Sequence, residues 1–178
     1  VAHSFPTRRS SDLWRFWGYA ADTAPADWPA VVGGDVRRML DRTGIAHADL
    51  LELLAGGFVN PNGTVQLAVA DGADACDLSG ARLHYLDEAF LDRLHRFTRL
   101  QWRLDCSVRE LDHAIAVLGQ GRIDADLLIA LAAALGVAGR LHRSLADLLP
   151  LWGAIDTQPG LDRSTKPLRR LPDRKSVV

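Results

Sequence analysis

Four arginines at helical spacing, Arg93, Arg96, Arg99 and Arg103, are the side chains best suited to chemistry, and contact with a phosphate or a nucleic acid is what they would offer. A nucleic-acid reader would also want a basic balance and a recognition helix exposing polar, base-reading side chains. Asp92 precedes Arg96 by four residues, and Asp87, Glu88, Glu110 and Asp112 lie close in sequence, so the row reads as a salt-bridged or solvated helix face. His47, His84, His95, His113 and His142 fall in different segments, and none forms HExxH. Asp112 and His113 are adjacent and so point in different directions around a helix, which removes them as a shared acid/base pair. There is no GxSxG, and Gly119 and Gly121 lack the Lys and Ser/Thr of a phosphate loop. Trp152, Gly153, Ile155 and Asp156 read as packing plus a turn rather than as a sugar site. Cys76 and Cys106, the only cysteines, lack CxxC spacing and read as two buried thiols rather than a bridge. No catalytic, cofactor-binding or metal-ligating residue is therefore expected, and the chain reads as non-enzymatic.

The elements that hold these residues are mostly helical. Phe90, Leu94, Phe97, Leu100 and Leu104 recur at spacings of four, three, three and four, which predicts an apolar stripe with Asp92, Arg96, Arg99 and Arg103 opposite. The pattern stops at Asp105 and Cys106. Ser107 and Glu110 then predict a capping box for a second helix with Val108, Leu111, Ile115 and Leu118 inward. So short a turn implies an antiparallel or steeply crossed helix pair. Asp35 starts an earlier helix that Gly44 ends, and a short helix over 48–54 follows. Asn60, Pro61, Asn62 and Gly63 signal a turn, and Val65, Leu67 and Val69 alternate as one short extended element. Asp124 caps a helix expected to run to about Leu135, and Ser144 caps a last one that Pro150 bends. Residues 14–29 read as a helix end and a loop packing aromatics, punctuated by Pro25 and Pro29. The expected fold class is mainly α: an irregular array of helical hairpins with one small extended element.

A resemblance implies that this array is a fragment of a larger helical shell. The stretch LHRFTRLQWRLDCSVRELDHAI within 91–115 is similar to the helical shell of the large A subunit of insecticidal Tc toxin complexes, a region shared with virulence-plasmid A proteins. Blocks elsewhere agree in order: MLDRTG then DLLELL, FVNP, CDL, and LLPLWGAIDT ending at Thr157. The motif positions are Arg96, Phe97, Arg99, Leu100, Trp102, Ser107, Glu110, Leu111, Asp112, Trp152 and Asp156. Thr98 and Gln101 depart from the family's bulkier apolar residues, Pro150 interrupts the last helix, and the segment after Thr157 is basic where the family is aromatic. The resemblance implies a non-catalytic casing piece of a secreted or released virulence factor. Its full-length form would be a homo-oligomer, a pentamer, that translocates a toxic enzyme through a pore. It would contact other segments of the same subunit, and reach the partner toxin subunits and the host membrane through regions absent here. Nucleic acid is not among the expected partners. A free-standing helical regulator or adaptor binding nucleic acid or protein is the alternative, and a hydrolase fragment lacks the clustered acid, base and nucleophile it needs.

Composition fits this reading. Hydrophobic residues make up 48% of the chain, enough for a core. Both ends look foreign: one choice of codons for 3–13 spells a common sequencing-library adapter, and one choice for 173–178 is the reverse complement of part of it. The expected organisation is thus adapter-derived sequence at 1–13 and 173–178, the shell fragment over 14–157, and an unassigned linker over 158–172. Each end carries one net positive charge, so the net of -1 becomes -3 without them, which argues against nucleic-acid binding. The most apolar run, 127–135, is short of the roughly 20 residues a membrane helix needs and reads as a buried helix.

Overall fold

The computed structural model describes residues 10–19, 26–69, 78 and 80–153. It is mainly helical with one small antiparallel sheet, in agreement with the class expected from sequence. The order is α1 (Ser10–Phe16), α2 (Trp28–Gly33), α3 (Val36–Thr43), α4 (His47–Ala55), β1 (Gln66–Ala68), β2 (Arg82–His84), α5 (Glu88–Leu104), α6 (Val108–Gly119), α7 (Ala125–Leu141), α8 (Leu145–Leu148) and a 3₁₀ turn, Leu149–Leu151. The chain divides into two compact units, 1–98 and 99–178.

In the first unit the tryptophans organise the core. Trp14 stacks on Tyr19 at 4.0 Å and meets Trp28 edge-on at 6.3 Å, while the Arg38 guanidinium lies 4.6 Å from the Tyr19 ring centroid. Pro29 does not merely punctuate a loop, because α2 begins at Trp28 and places the proline in its first turn, where a missing N–H costs nothing. Helix α3 keeps its expected limits: Asp35 Oδ1 accepts from Arg38 N at 3.0 Å, and Gly44 closes the helix with φ 61. The extended element acquires a partner that the alternation of 65–69 does not reveal, since β1 pairs with β2 with Leu67 opposite Leu83. A three-residue strand such as β2 carries too few residues to show a period, so only its pairing makes it visible.

Where β2 meets α2 the backbones nearly touch. A Cβ added at Gly33 would lie 2.6 Å from the Leu83 carbonyl oxygen, closer than any real contact. Gly33→Ala is expected to lose about 1–3 kcal/mol of stability by overpacking. Thermal unfolding of the variant checks this, and an unchanged or higher midpoint contradicts the close approach.

In the second unit α6 runs alongside α7, and α8 with the 3₁₀ turn bends away from α7 by 100°. Three helices end on a non-glycine residue in the left-handed region: Asp105 after α5, Gln120 after α6 and His142 after α7. The last corrects the expected end near Leu135. Helix α7 passes through Gly136 and Gly139 for another turn and a half, and closes when Arg143 N donates to Ala138 O at 3.0 Å. An isolated helical glycine costs only about 1 kcal/mol, so Gly136 is not by itself a stop.

Candidate functional site

Helix α5 and the turn into α6 carry most of the positions that sequence reasoning selected. Asp87 starts the helix, its Oδ1 accepting from Phe90 N at 2.6 Å. The buried side is then Phe90, Leu91, Leu94, Phe97, Thr98 and Gln101. Leu100 and Leu104, placed inward by the expected stripe, are only half-buried. The seam follows a 3.5-residue period rather than the chosen apolar positions, so beside His95 it carries two further polar residues, Thr98 and Gln101, into the core.

Both are satisfied locally. Thr98 Oγ1 donates to His95 O at 3.1 Å, and Gln101 Nε2 reaches across the turn to Cys106 O at 3.3 Å. The two departures from the toxin pattern are therefore core residues, and Gln101 fastens the α5–α6 turn. His95 is buried as well and packs edge-on against Phe16 at 4.3 Å. Phe97 stacks near Phe58, ring centroids 6.3 Å apart. Sequence reasoning missed this buried polar set because a helix-period search counts apolar residues only.

The four arginines do not act as a row. Arg93 turns inward, its Nε donating to Val59 O at 3.0 Å, and so braces the loop after α4. Arg96 lies 3.8 Å from Asp92 on the same helix, with both side chains more than a third exposed. Such a pair contributes at most a few tenths of a kcal/mol. Arg99 and Arg103 are exposed, with the half-exposed Trp102 between them in sequence. Two of the nearby acids serve backbone amides: Asp87 caps α5, and Glu110 Oε1 accepts from Ala146 N at 3.0 Å, tying α6 to the start of α8, while Ser107 Oγ accepts from Glu110 N at 3.1 Å. The full reciprocal capping box forms instead at Ser144 and Asp147. Leu111 is fully buried, Asp112 is half-buried, and Trp152 is 47% exposed at the end of the 3₁₀ turn. Asp156 and Cys76 lie outside the described residues, as does everything from 154 onward; Cys106 is buried, as expected.

None of this assembles a reaction centre among the described residues. His47, His84, His95, His113 and His142 stand on different elements, and no group of three or more His, Cys, Asp or Glu gathers at metal-binding distance. A crevice of about 340 Å³ opens beside β2, lined by Ala30, Gly34, Arg82, Leu83, His84, Tyr85 and Leu86. It offers a guanidinium, an imidazole and a phenol, but no carboxylate or nucleophile to pair with them. No single helix among the described residues is long and apolar enough to cross a membrane.

The 127–135 run differs from its expected burial. Leu127, Leu131, Ala134 and Ala138 face inward, but Leu128, Leu135 and especially Ile129, 69% exposed, face outward. Compared with known proteins, the chain finds no match: no family model, no curated protein and no solved structure resembles it significantly.

Proposed function

We propose that this chain is a structural, non-catalytic piece of the helical shell of a Tc-type toxin A subunit, a pore-forming and toxin-translocating virulence factor. The observation that carries the reading is the ordered set of sequence blocks, centred on Arg96, Phe97, Arg99, Leu100, Trp102, Ser107, Glu110, Leu111 and Asp112. Several of these blocks serve packing. Arg93 and Phe97, on the central helix, each engage the FVNP loop at Val59 and Phe58, and Ser107 and Glu110 bind the helix starts of α6 and α8. Short helices with satisfied ends suit a casing that must stay rigid until it releases a channel. In the full-length subunit the partners would be other segments of the same polypeptide and four more copies, with the partner toxin subunits and the host membrane met by other regions. The complex would be secreted or released.

The exposed Arg99, Trp102 and Arg103 favour a second reading, a helical adaptor that binds nucleic acid. One experiment separates the two. Reading the source DNA outward past the adapter-like codons should open a very long frame in the toxin case, and stop codons close to both ends would overturn it. Duplex DNA at physiological salt should not be retarded by the chain; a retarded band supports the adaptor.

A further inference from the structure

The outward face of α7 is apolar and exposed, with Leu128, Ile129 and Leu135 turned away from the core. From 127 to 139 the helix has no charged or polar side chain, with Asp126 before this stretch and Arg140 after it. A surface helix normally turns polar residues to water, and an exposed apolar face marks an interaction site. The glycines add to this. Gly136 lies inside the helix, where it costs about 1 kcal/mol relative to alanine, yet an added Cβ there would meet nothing within 4 Å. Nothing in the packing of the described residues calls for a glycine at that point. It leaves the backbone open to a close neighbour.

The exposed residues also say which neighbour fits. Asp126, Ile129, Ala133, Gly136 and Arg140 are all exposed and recur at spacings of three, four, three and four, which makes one straight seam along the helix. Ala133 lies midway between the two charges. When a second α7 is laid antiparallel about Ala133, Asp126 of each copy falls opposite Arg140 of the other. Ile129, the one large apolar side chain of the seam and 69% exposed, falls beside the gap at Gly136. A parallel pair would instead set Asp126 against Asp126 and Arg140 against Arg140. Arg140 Nε donates to Gly136 O at 3.3 Å, which already holds the guanidinium along this seam.

We propose that this face of α7 is a two-fold interface: a second copy of the chain docks antiparallel, with Ile129 of each copy against Gly136 of the other and an Asp126–Arg140 pair at either end. An interface of this kind uses the same patch on both partners, as closed dimers do. It does not depend on the toxin reading and stands or falls separately from it.

Sedimentation velocity on the full 178-residue chain, over about a hundredfold range of concentration, tests the proposal. The chain should pass from monomer to twice the monomer mass. Ile129→Asp and Gly136→Leu should each weaken association by roughly tenfold or more. Gly136→Leu fills an open position and raises helix propensity, so its loss of pairing cannot come from unfolding. Asp126→Arg and Arg140→Asp should each weaken pairing by roughly fivefold, and the double variant should restore it, because the pairs re-form with their charges exchanged. A chain that stays monomeric throughout overturns the proposal, whether or not it floats with phosphatidylcholine vesicles. So does a dimer that tolerates Gly136→Leu, or a double swap that fails to recover.

Discussion

Phe97→Ala should destabilise the fold by about 3–5 kcal/mol, the range for emptying an aromatic site in a packed core. Phe97 is fully buried on α5, and its ring lies near that of Phe58, which follows α4. Removing it leaves a cavity bounded by α5 and the loop after α4, which are each held by other contacts, so little collapse can fill the space. Arg93 already ties α5 to the same loop through Val59 O, which holds that wall in place. Urea unfolding followed by far-ultraviolet circular dichroism gives the measurement. Leu100→Ala, three residues along and half-buried, is the internal comparison and should cost well under half as much. Equal losses at the two positions would mean that the buried seam of α5 runs elsewhere.

Asn60→Asp is the second large effect, about 3–5 kcal/mol at neutral pH, the range for leaving a buried charge without compensation. Asn60 is buried in the turn after α4. Its Nδ2 donates to Leu54 O at 2.8 Å and Val65 O at 3.1 Å, and its Oδ1 accepts from Val65 N at 3.2 Å. One amide thus joins the end of α4 to the approach to β1. A carboxylate of the same shape keeps the bond from Val65 N, but sets a charged oxygen against two carbonyl oxygens. Burial and that repulsion raise the folded-state pKa of the new carboxyl above its unfolded value near ~3.9. The loss is therefore full above the raised value and shrinks as pH falls toward ~4, where the group is neutral in both states. Stability of the variant against wild type across pH reads this directly. A deficit that does not vary with pH would place the side chain in water.

Much of the architecture was legible from local signals. Asp35 and Gly44 bracket α3, Ser107 and Asp124 begin α6 and α7, and Ser144 begins α8, because a cap acts through hydrogen bonds within three residues of itself. Harder to read was the helix end at His142, where a non-glycine residue takes the left-handed conformation at a modest cost that the surrounding contacts outweigh. Strand β2 was invisible for want of length. The arginines of α5 share one spacing but not one role, since Arg93 meets a carbonyl 34 residues away in sequence.

What the amino-acid order alone determined, then, is the mainly helical class, most helix starts, the turn at 60–63 and the apolar content of each helix. What the tertiary structure decided is which apolar residues are covered. It set Thr98 and Gln101 inside while Leu100 stays at the margin, and left Ile129 outside two residues from the buried Leu131. Caps and propensities are short-range energies that a sequence carries wherever it folds. Burial is a property of two surfaces at once: the second surface on α5 includes the loop at Phe58 and Val59, distant in sequence, and that on α7 comes from the neighbouring helices α6 and α8.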